Sequence, residues 1–165
     1  MIKTVLLMLT ALLTATPAGA EPPPASPNGI IQPEGYQNWR LISVSQRTES
    51  QTLRAILGNS VAVEAARAGK TNPWPNGTIL AKVNLKQKNS ETFPTAIVPS
   101  ELIHVDFMIK DDSRYASTNG WGWARWMGQE RKPYGQDANF SQECIACHSA
   151  VKGQDMVFTK PVILP

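Results

Sequence analysis

The sequence predicts an α+β domain rich in β structure, with one antiparallel sheet, a few short helices and a helix near the C-terminus. Two segments, 79–86 and 103–110, alternate apolar and polar side chains with the period of two that a half-buried strand requires. A third candidate strand, 121–126, is rich in tryptophan and glycine. The helical patterns are too short for a four-helix bundle, and 165 residues suit a single domain.

Residues 1–20 have the composition of a secretory signal peptide. Lys3 provides a short positive region, residues 5–13 are apolar, and Ala18-Gly19-Ala20 matches a cleavage site. The apolar run is much shorter than the roughly 20 residues that a membrane-spanning helix needs. We therefore expect export to the periplasm, cleavage before Glu21 and no membrane span in the mature chain.

The composition of the mature chain indicates a small globular domain and argues against two classes of partner. Without Lys3 the chain has 15 basic and 13 acidic residues, a surplus too small and too dispersed for nucleic-acid binding. No cluster of lysines and arginines follows the apolar region, so a lipid surface is not expected either. The proline-rich stretch predicts a disordered leader over 21–35, followed by the folded domain over 36–165.

The first half of the domain is expected to contain a strand and a short helix. The segment 39–45 has the β-branched and apolar character of a strand. Asn59 or Ser60 is placed to cap a helix over 61–68. Gly69 then follows in the position of a residue that ends a helix in the left-handed conformation.

The polar faces of the two alternating strands carry candidate site residues. Lys82 lies on the first strand with Asn84 and Lys86, and His104 and Asp106 lie on the second. If these strands are neighbours, a cation, an imidazole and a carboxylate share one face of the sheet, a set suited to moving protons. The alternative is that Lys82 is a solvated surface lysine and Asp106 belongs to an ordinary salt bridge.

Near the C-terminus the chain contains Cys144-Ile145-Ala146-Cys147-His148, the C-x-x-C-H signature of c-type haem attachment. In such a site the two thiols bond the haem vinyl groups, and the histidine is the axial ligand of the iron. We therefore expect one covalently bound haem c per chain. Cys144 and Cys147 would form the thioether links, and His148 would bind the iron.

Other interpretations of this motif fit less well. A structural zinc site needs four ligands, usually two cysteine pairs, and the chain has one pair. A thioredoxin-like pair lies near the start of a βαβ unit, whereas only 17 residues follow His148 here. A disulfide would leave His148 unexplained. The late position also differs from the small helical cytochromes c, which carry the motif near the mature N-terminus.

Two segments resemble the cytochrome P-460 family, which includes the β-type cytochromes c′. One is Trp-Pro-Asn-Gly-Thr-Ile-Leu-Ala-Lys at 74–82, and the other is the C-x-x-C-H motif followed by 155–159. The resemblance implies a homodimer with haem against one face of a sheet, His148 as the only protein ligand of iron and an open distal side. In hydroxylamine-oxidising members a lysine, here Lys82, is also bonded to a haem meso carbon, and a distal carboxylate, here Asp106, moves protons.

The resemblance implies a periplasmic haem enzyme that oxidises hydroxylamine or a related small nitrogen oxide and passes electrons to another cytochrome. One alternative is a haem protein without turnover that binds nitric oxide or carbon monoxide in an apolar pocket, for which Phe93 and Phe107 are candidates. Another is a plain electron carrier in which a second side chain occupies the sixth iron position. The candidates for that ligand are His104, Met108, Met127 and Met156.

Overall fold

In the computed structural model, which describes residues 21–162, six strands form one antiparallel sheet whose order follows the chain. The strands are β1 (Arg40–Arg47), β2 (Thr52–Gly58), β3 (Ile79–Asn89), β4 (Ile97–Lys110), β5 (Trp121–Met127) and β6 (Lys132–Pro133). The β-rich α+β architecture predicted from the sequence is confirmed. The predicted signal peptide, 1–20, lies outside the described residues.

The described residues include two α-helices and four 3-10 turns. The helices are α1 (Ser60–Arg67) and α2 (Ser141–His148), and the 3-10 turns are Tyr36–Asn38, Ala116–Thr118, Ala138–Phe140 and Ser149–Gln154. α1 begins as predicted, because Asn59 Oδ1 accepts a hydrogen bond from the Ala62 amide at 3.0 Å. Gly69 follows the helix with a φ of 67°. Within 21–162, no helix combines the length and apolar character needed to cross a lipid bilayer.

The register of the sheet brings the predicted polar faces together. β3 and β4 contain the two alternating segments and pair with Lys82 opposite Asp106 and Asn84 opposite His104. β5 contains the predicted third strand and places Arg125 opposite Asp106. β1 contains the predicted first strand, whereas β2 was missed, because its sequence Thr-Leu-Arg-Ala-Ile-Leu-Gly does not alternate strictly.

A separate apolar cluster covers each face of the sheet. On one face α1 and the segment after α2 pack on the strands, with Ala62 and Leu80 among the buried residues. On the opposite face the Phe107 ring meets Tyr36 and Trp126 edge-on, with ring centroids 5.2 and 5.6 Å apart. Polar side chains of β3, β4 and β5 therefore face α2 and not the second cluster.

The N-terminal segment differs from the predicted disordered leader over 21–35. The Pro24 carbonyl accepts a hydrogen bond from the buried Trp126 indole at 3.0 Å, and Ile30 is buried in the second cluster. This packing satisfies a buried hydrogen-bond donor and covers an apolar surface. A buried indole N–H requires an acceptor, and an apolar sheet face requires a cover.

Candidate functional site

α2 and the segment that follows it pack over one face of the sheet and leave a cavity of about 720 Å³. Cofactor sites commonly have volumes of about 300–1,000 Å³. The five residues predicted to be catalytic or cofactor-binding all line this cavity, namely Lys82, Asp106, Cys144, Cys147 and His148. The fold therefore brings the charged residues of the sheet and the C-x-x-C-H motif to a single site.

α2 presents the motif residues on one helical face. Cys147 and His148 lie three and four positions after Cys144, the spacing at which side chains neighbour one another on a helix. Cys144 is partly buried against the apolar cluster, Cys147 is exposed, and both carry free thiols. Burial raises the pKa of the Cys144 thiol. The helix thus offers two thiols and an imidazole to the same cavity.

The imidazole of His148 is held in one tautomer. Its Nδ1 lies 2.6 Å from the Met156 carbonyl oxygen, and because a carbonyl only accepts, Nδ1 carries the proton and Nε2 keeps its lone pair. The ring packs edge-on against Trp123 and Phe158, with centroids 4.5 and 5.0 Å away. Burial lowers the pKa of His148 and so favours the neutral ring. A neutral imidazole with a fixed lone pair is a metal ligand.

A row of charged side chains crosses the sheet at the cavity. Lys82 Nζ lies 2.9 Å from Asp106 Oδ2, and Arg125 Nε lies 2.5 Å from Asp106 Oδ1. His104 Nε2 lies 3.2 Å from the same Oδ2. Burial alone would raise the pKa of Asp106, but the His104 hydrogen bond and the charges of Lys82 and Arg125 outweigh it and hold this pKa well below its usual range. Asp106 is therefore ionised at neutral pH.

Only one of the four candidates for a sixth iron ligand lines the cavity, within the described residues. Among the described residues that line the cavity, Met108 is the one candidate present, and His104, Met127 and Met156 are not among them. His104 Nε2 lies 3.0 Å from the side-chain amide nitrogen of Asn84, so it is engaged within the sheet. The Met156 side chain is fully buried. Its backbone carbonyl, not its sulfur, contacts the site.

The sequence did not identify several residues that the structure places at the cavity. Arg125 lies there because alternation along β5 gives it the same face as Trp123. The alternation of side chains along β5 is the sequence pattern that could have identified Arg125. Arg54 lines the cavity from β2, the strand that was not predicted. Phe158 also lines the cavity, with half of its surface exposed; it lies within the segment 155–159 that carries the family resemblance, but no site role was predicted for it.

The two phenylalanines considered for an apolar pocket do not form one. Phe93 is 65% exposed in the connection between β3 and β4, away from the cavity. The Phe107 ring is buried in the cluster on the other face of the sheet. The aromatic walls of the cavity come from Trp123 and Phe158, next to His148.

The residues at the cavity fit a haem group. The donor set supplies two thiols and an imidazole in the order that c-type attachment requires. Arg54 Nε and Trp123 Nε1 are buried with no hydrogen-bond partner within the described residues. Basic side chains also outnumber acidic ones along the wall, with Arg47, Arg54, Lys82, Arg125 and Lys160 against Asp106 and Glu143. A ligand that carries carboxylates, as haem does, suits such a wall.

Comparisons with known proteins agree with this assignment. A family model described as Cytochrome P460 matches residues 33–159, a range that includes the charged row, α2 and the segment after it. A search of curated proteins gave no match.

Replacing Asp106 with Asn removes the shared counter-ion of Lys82 and Arg125. We expect the free energy of unfolding at pH 7 to fall by about 3–5 kcal/mol, because two partly buried cations lose their partner. The depressed pKa of Asp106 in the folded state means that this contribution is fully present above the unfolded value of about 3.9 and is lost progressively as pH falls from there through the lower pKa of the folded state. The measurement is urea unfolding of wild type and variant at pH 7 and pH 3, followed by circular dichroism. The difference between their free energies of unfolding should be smaller at pH 3 than at pH 7.

The matched control is Glu101→Gln, which breaks another lysine–carboxylate pair between β3 and β4. Lys86 and Glu101 are more than half exposed and lie 2.7 Å apart, so losing this pair should change the free energy of unfolding much less than Asp106→Asn does. Equal losses in the two variants would contradict a special role of Asp106 in the charged row.

Proposed function

The chain belongs to the cytochrome P460 family and is a haem-binding cytochrome, and we propose that it is a mono-haem c-type cytochrome that oxidises hydroxylamine or a related small nitrogen oxide. The observation that carries this proposal is the shared cavity. It is lined on one side by His148, with its Nε2 lone pair, and on the other by Lys82, Asp106 and Arg125. An axial ligand and a proton-handling group thus face the same space.

Each motif residue has a proposed part in holding the cofactor. Cys144 and Cys147 would form thioether bonds, and His148 would bind the iron through Nε2. When bound, haem supplies one-electron redox chemistry and an iron position for a small nitrogen ligand. Arg54, with its unpartnered Nε, is placed to bind a haem carboxylate.

Oxidation of the substrate requires an acceptor for protons as well as for electrons. Removal of two electrons from hydroxylamine to give nitroxyl also releases two protons. We assign proton acceptance to Asp106, the carboxylate at the cavity wall, whose Oδ2 lies 3.2 Å from His104 Nε2. The electrons leave to another cytochrome outside the protein.

The basicity of Asp106 depends on Lys82. While Lys82 carries its charge 2.9 Å away, the pKa of Asp106 is held down and the carboxylate is a weak base. A lysine nitrogen bonded to an aromatic ring carbon is not protonated at neutral pH, so the covalent bond that the family implies would remove this charge. Starting from the charged amine, that bond would replace one N–H and one ring C–H and release three protons and two electrons, and a peroxide would accept the two electrons.

A second candidate function is binding of nitric oxide or carbon monoxide without turnover. It is favoured by the contacts of Asp106 with His104, Lys82 and Arg125, which hold the pKa of Asp106 low. If Lys82 remains a free amine, Asp106 stays a weak base, and the cavity would bind its ligand without turnover. The state of Lys82 therefore separates the two functions.

The cellular location and the oligomeric state of the protein are proposed from the sequence and the family. The signal-peptide pattern at 1–20 supports a periplasmic location, where c-type haem is attached and where the electron-accepting cytochrome would reside. The family further suggests that two copies of the chain associate as a homodimer.

Replacing Lys82 with Met tests the enzyme proposal most sharply. We expect the variant to keep its attached haem but to lose hydroxylamine-dependent reduction of an artificial electron acceptor, because its side chain has no amine that could bond the haem ring. Lys86→Met is the matched control, since Lys86 lies on the same face of β3 but pairs with exposed Glu101 and should leave turnover unchanged. Full turnover by the Lys82 variant would exclude the cross-link from the mechanism.

The proton-acceptor role of Asp106 is tested in the same assay. Asp106→Asn should slow turnover by about 100-fold or more per folded haem, the usual effect of losing a general base. Glu101→Gln should leave the rate unchanged. A rate in Asp106→Asn close to that of wild type would reduce Asp106 to a partner in the ion pairs of the sheet.

A further inference from the structure

Lys110 is a buried lysine at the end of β4, outside the cavity. It is only 3% exposed, and its Nζ lies 2.9 Å from Asp155 Oδ1, 3.1 Å from Asp112 Oδ1 and 3.2 Å from the Asn119 carbonyl oxygen. Lysine is almost never buried to this extent unless it is paired. Of the two carboxylates, that of Asp155 is buried with it, while Asp112 is 60% exposed. The buried pair is therefore Lys110 and Asp155.

The carboxylate of Asp155 joins three parts of the chain. Its Oδ1 accepts from Lys110 at the end of β4, and its Oδ2 accepts from the backbone amide of buried Trp74 at 2.8 Å, in the turn before β3. Asp155 itself lies in the segment after α2. Both carboxylate oxygens are thus used to fix this segment against the sheet, and removing either partner leaves a buried polar group unsatisfied.

The backbone at Asp155 requires such fixing. Asp155 and Met156 have φ values of 50° and 64°, in the left-handed region that residues other than glycine rarely adopt. Two successive residues in this region persist only when their surroundings over-determine the conformation. The conformation matters for the site, because it places the Met156 carbonyl 2.6 Å from His148 Nδ1.

We propose that Lys110 and Asp155 are positioning residues for His148. The buried ion pair holds the left-handed turn at 155–156, the turn aims the Met156 carbonyl at Nδ1, and that hydrogen bond sets the orientation and basicity of the imidazole at Nε2. The inference rests on the proposed function to the extent that His148 is the iron ligand. Partners of a ligating histidine control metal affinity and electronic properties in this way.

The experiment uses the full haem-loaded protein with Lys110→Met or Asp155→Asn. The readout is the iron–histidine stretching frequency of the reduced protein by resonance Raman spectroscopy. A weaker Nδ1 hydrogen bond makes the imidazole a poorer donor, so this frequency should fall in both variants while the haem stays attached. The control is Asp112→Asn, which removes the exposed partner of the same Lys110 Nζ and should leave the frequency unchanged.

The two variants also separate positioning from a simple effect of charge. Removing an anion at Asp155 and a cation at Lys110 changes the local charge with opposite sign, so electrostatics alone would move the reduction potential in opposite directions and leave the stretching frequency where it was. A fall in frequency in both variants supports positioning. Opposite potential shifts with an unchanged frequency would overturn it.

Two further outcomes are interpretable. If Lys110→Met does not accumulate as folded haem protein, Lys110→Gln takes its place. Asp155→Asn then still tests the positioning role through the iron–histidine stretching frequency. If the reduced wild type shows no iron–histidine band, either His148 is not the axial ligand or a second side chain occupies the sixth position, and either result overturns the open haem site on which this inference rests. A wild-type band that none of the variants moves overturns only the positioning role.

Discussion

The hydrogen bond from His148 Nδ1 to the Met156 carbonyl joins the end of α2 to the segment that follows it and leaves Nε2 directed away from the backbone. The motif residues would otherwise lie on a short helix with no buried residue of its own. Eight residues form a helix of marginal stability in water, so α2 depends on contacts around it. The imidazole, packed between Trp123 and Phe158, supplies some of these contacts and is also the proposed iron ligand. The side chain of His148 therefore both stabilises the position of α2 and serves the proposed function.

The opposite side of the cavity is organised by sheet register. Because Lys82, Asp106 and Arg125 lie opposite one another on three neighbouring strands, their side chains meet without any loop to position them. A site built on paired strands is more rigid than one built on loops. The result is an ionised carboxylate between two cations, whose basicity depends on the charge of its neighbours. This coupling gives Lys82 control over Asp106, and it explains how one fold could serve both turnover and simple gas binding.

Sequence reasoning recovers the parts of this arrangement that follow from local pattern. Alternation identified β3 and β4, and therefore the shared face of Lys82 and Asp106, while the C-x-x-C-H motif identified α2. Arg125 is missed, because the neighbouring Trp121, Trp123 and Trp126 indicate packing and draw no attention to the arginine. The contact of Met156 with His148 is also missed, because it depends on a left-handed turn that no sequence pattern predicts. Proline content predicts a disordered leader over 21–35, because composition does not reveal that the Pro24 carbonyl accepts the hydrogen bond of the Trp126 indole.

The central claim is that the iron has a single protein ligand, His148, and an open position on the side of the charged row. The most direct test is the absorption spectrum of the reduced wild-type protein, matured with its haem, with and without carbon monoxide. We expect a Soret band to the red of that of an ordinary c-type haem, because a bond between the ring and Lys82 would shift it, and a further change when carbon monoxide binds. A spectrum indifferent to carbon monoxide would contradict it, because a second side chain would then occupy the sixth position and the protein would be an electron carrier.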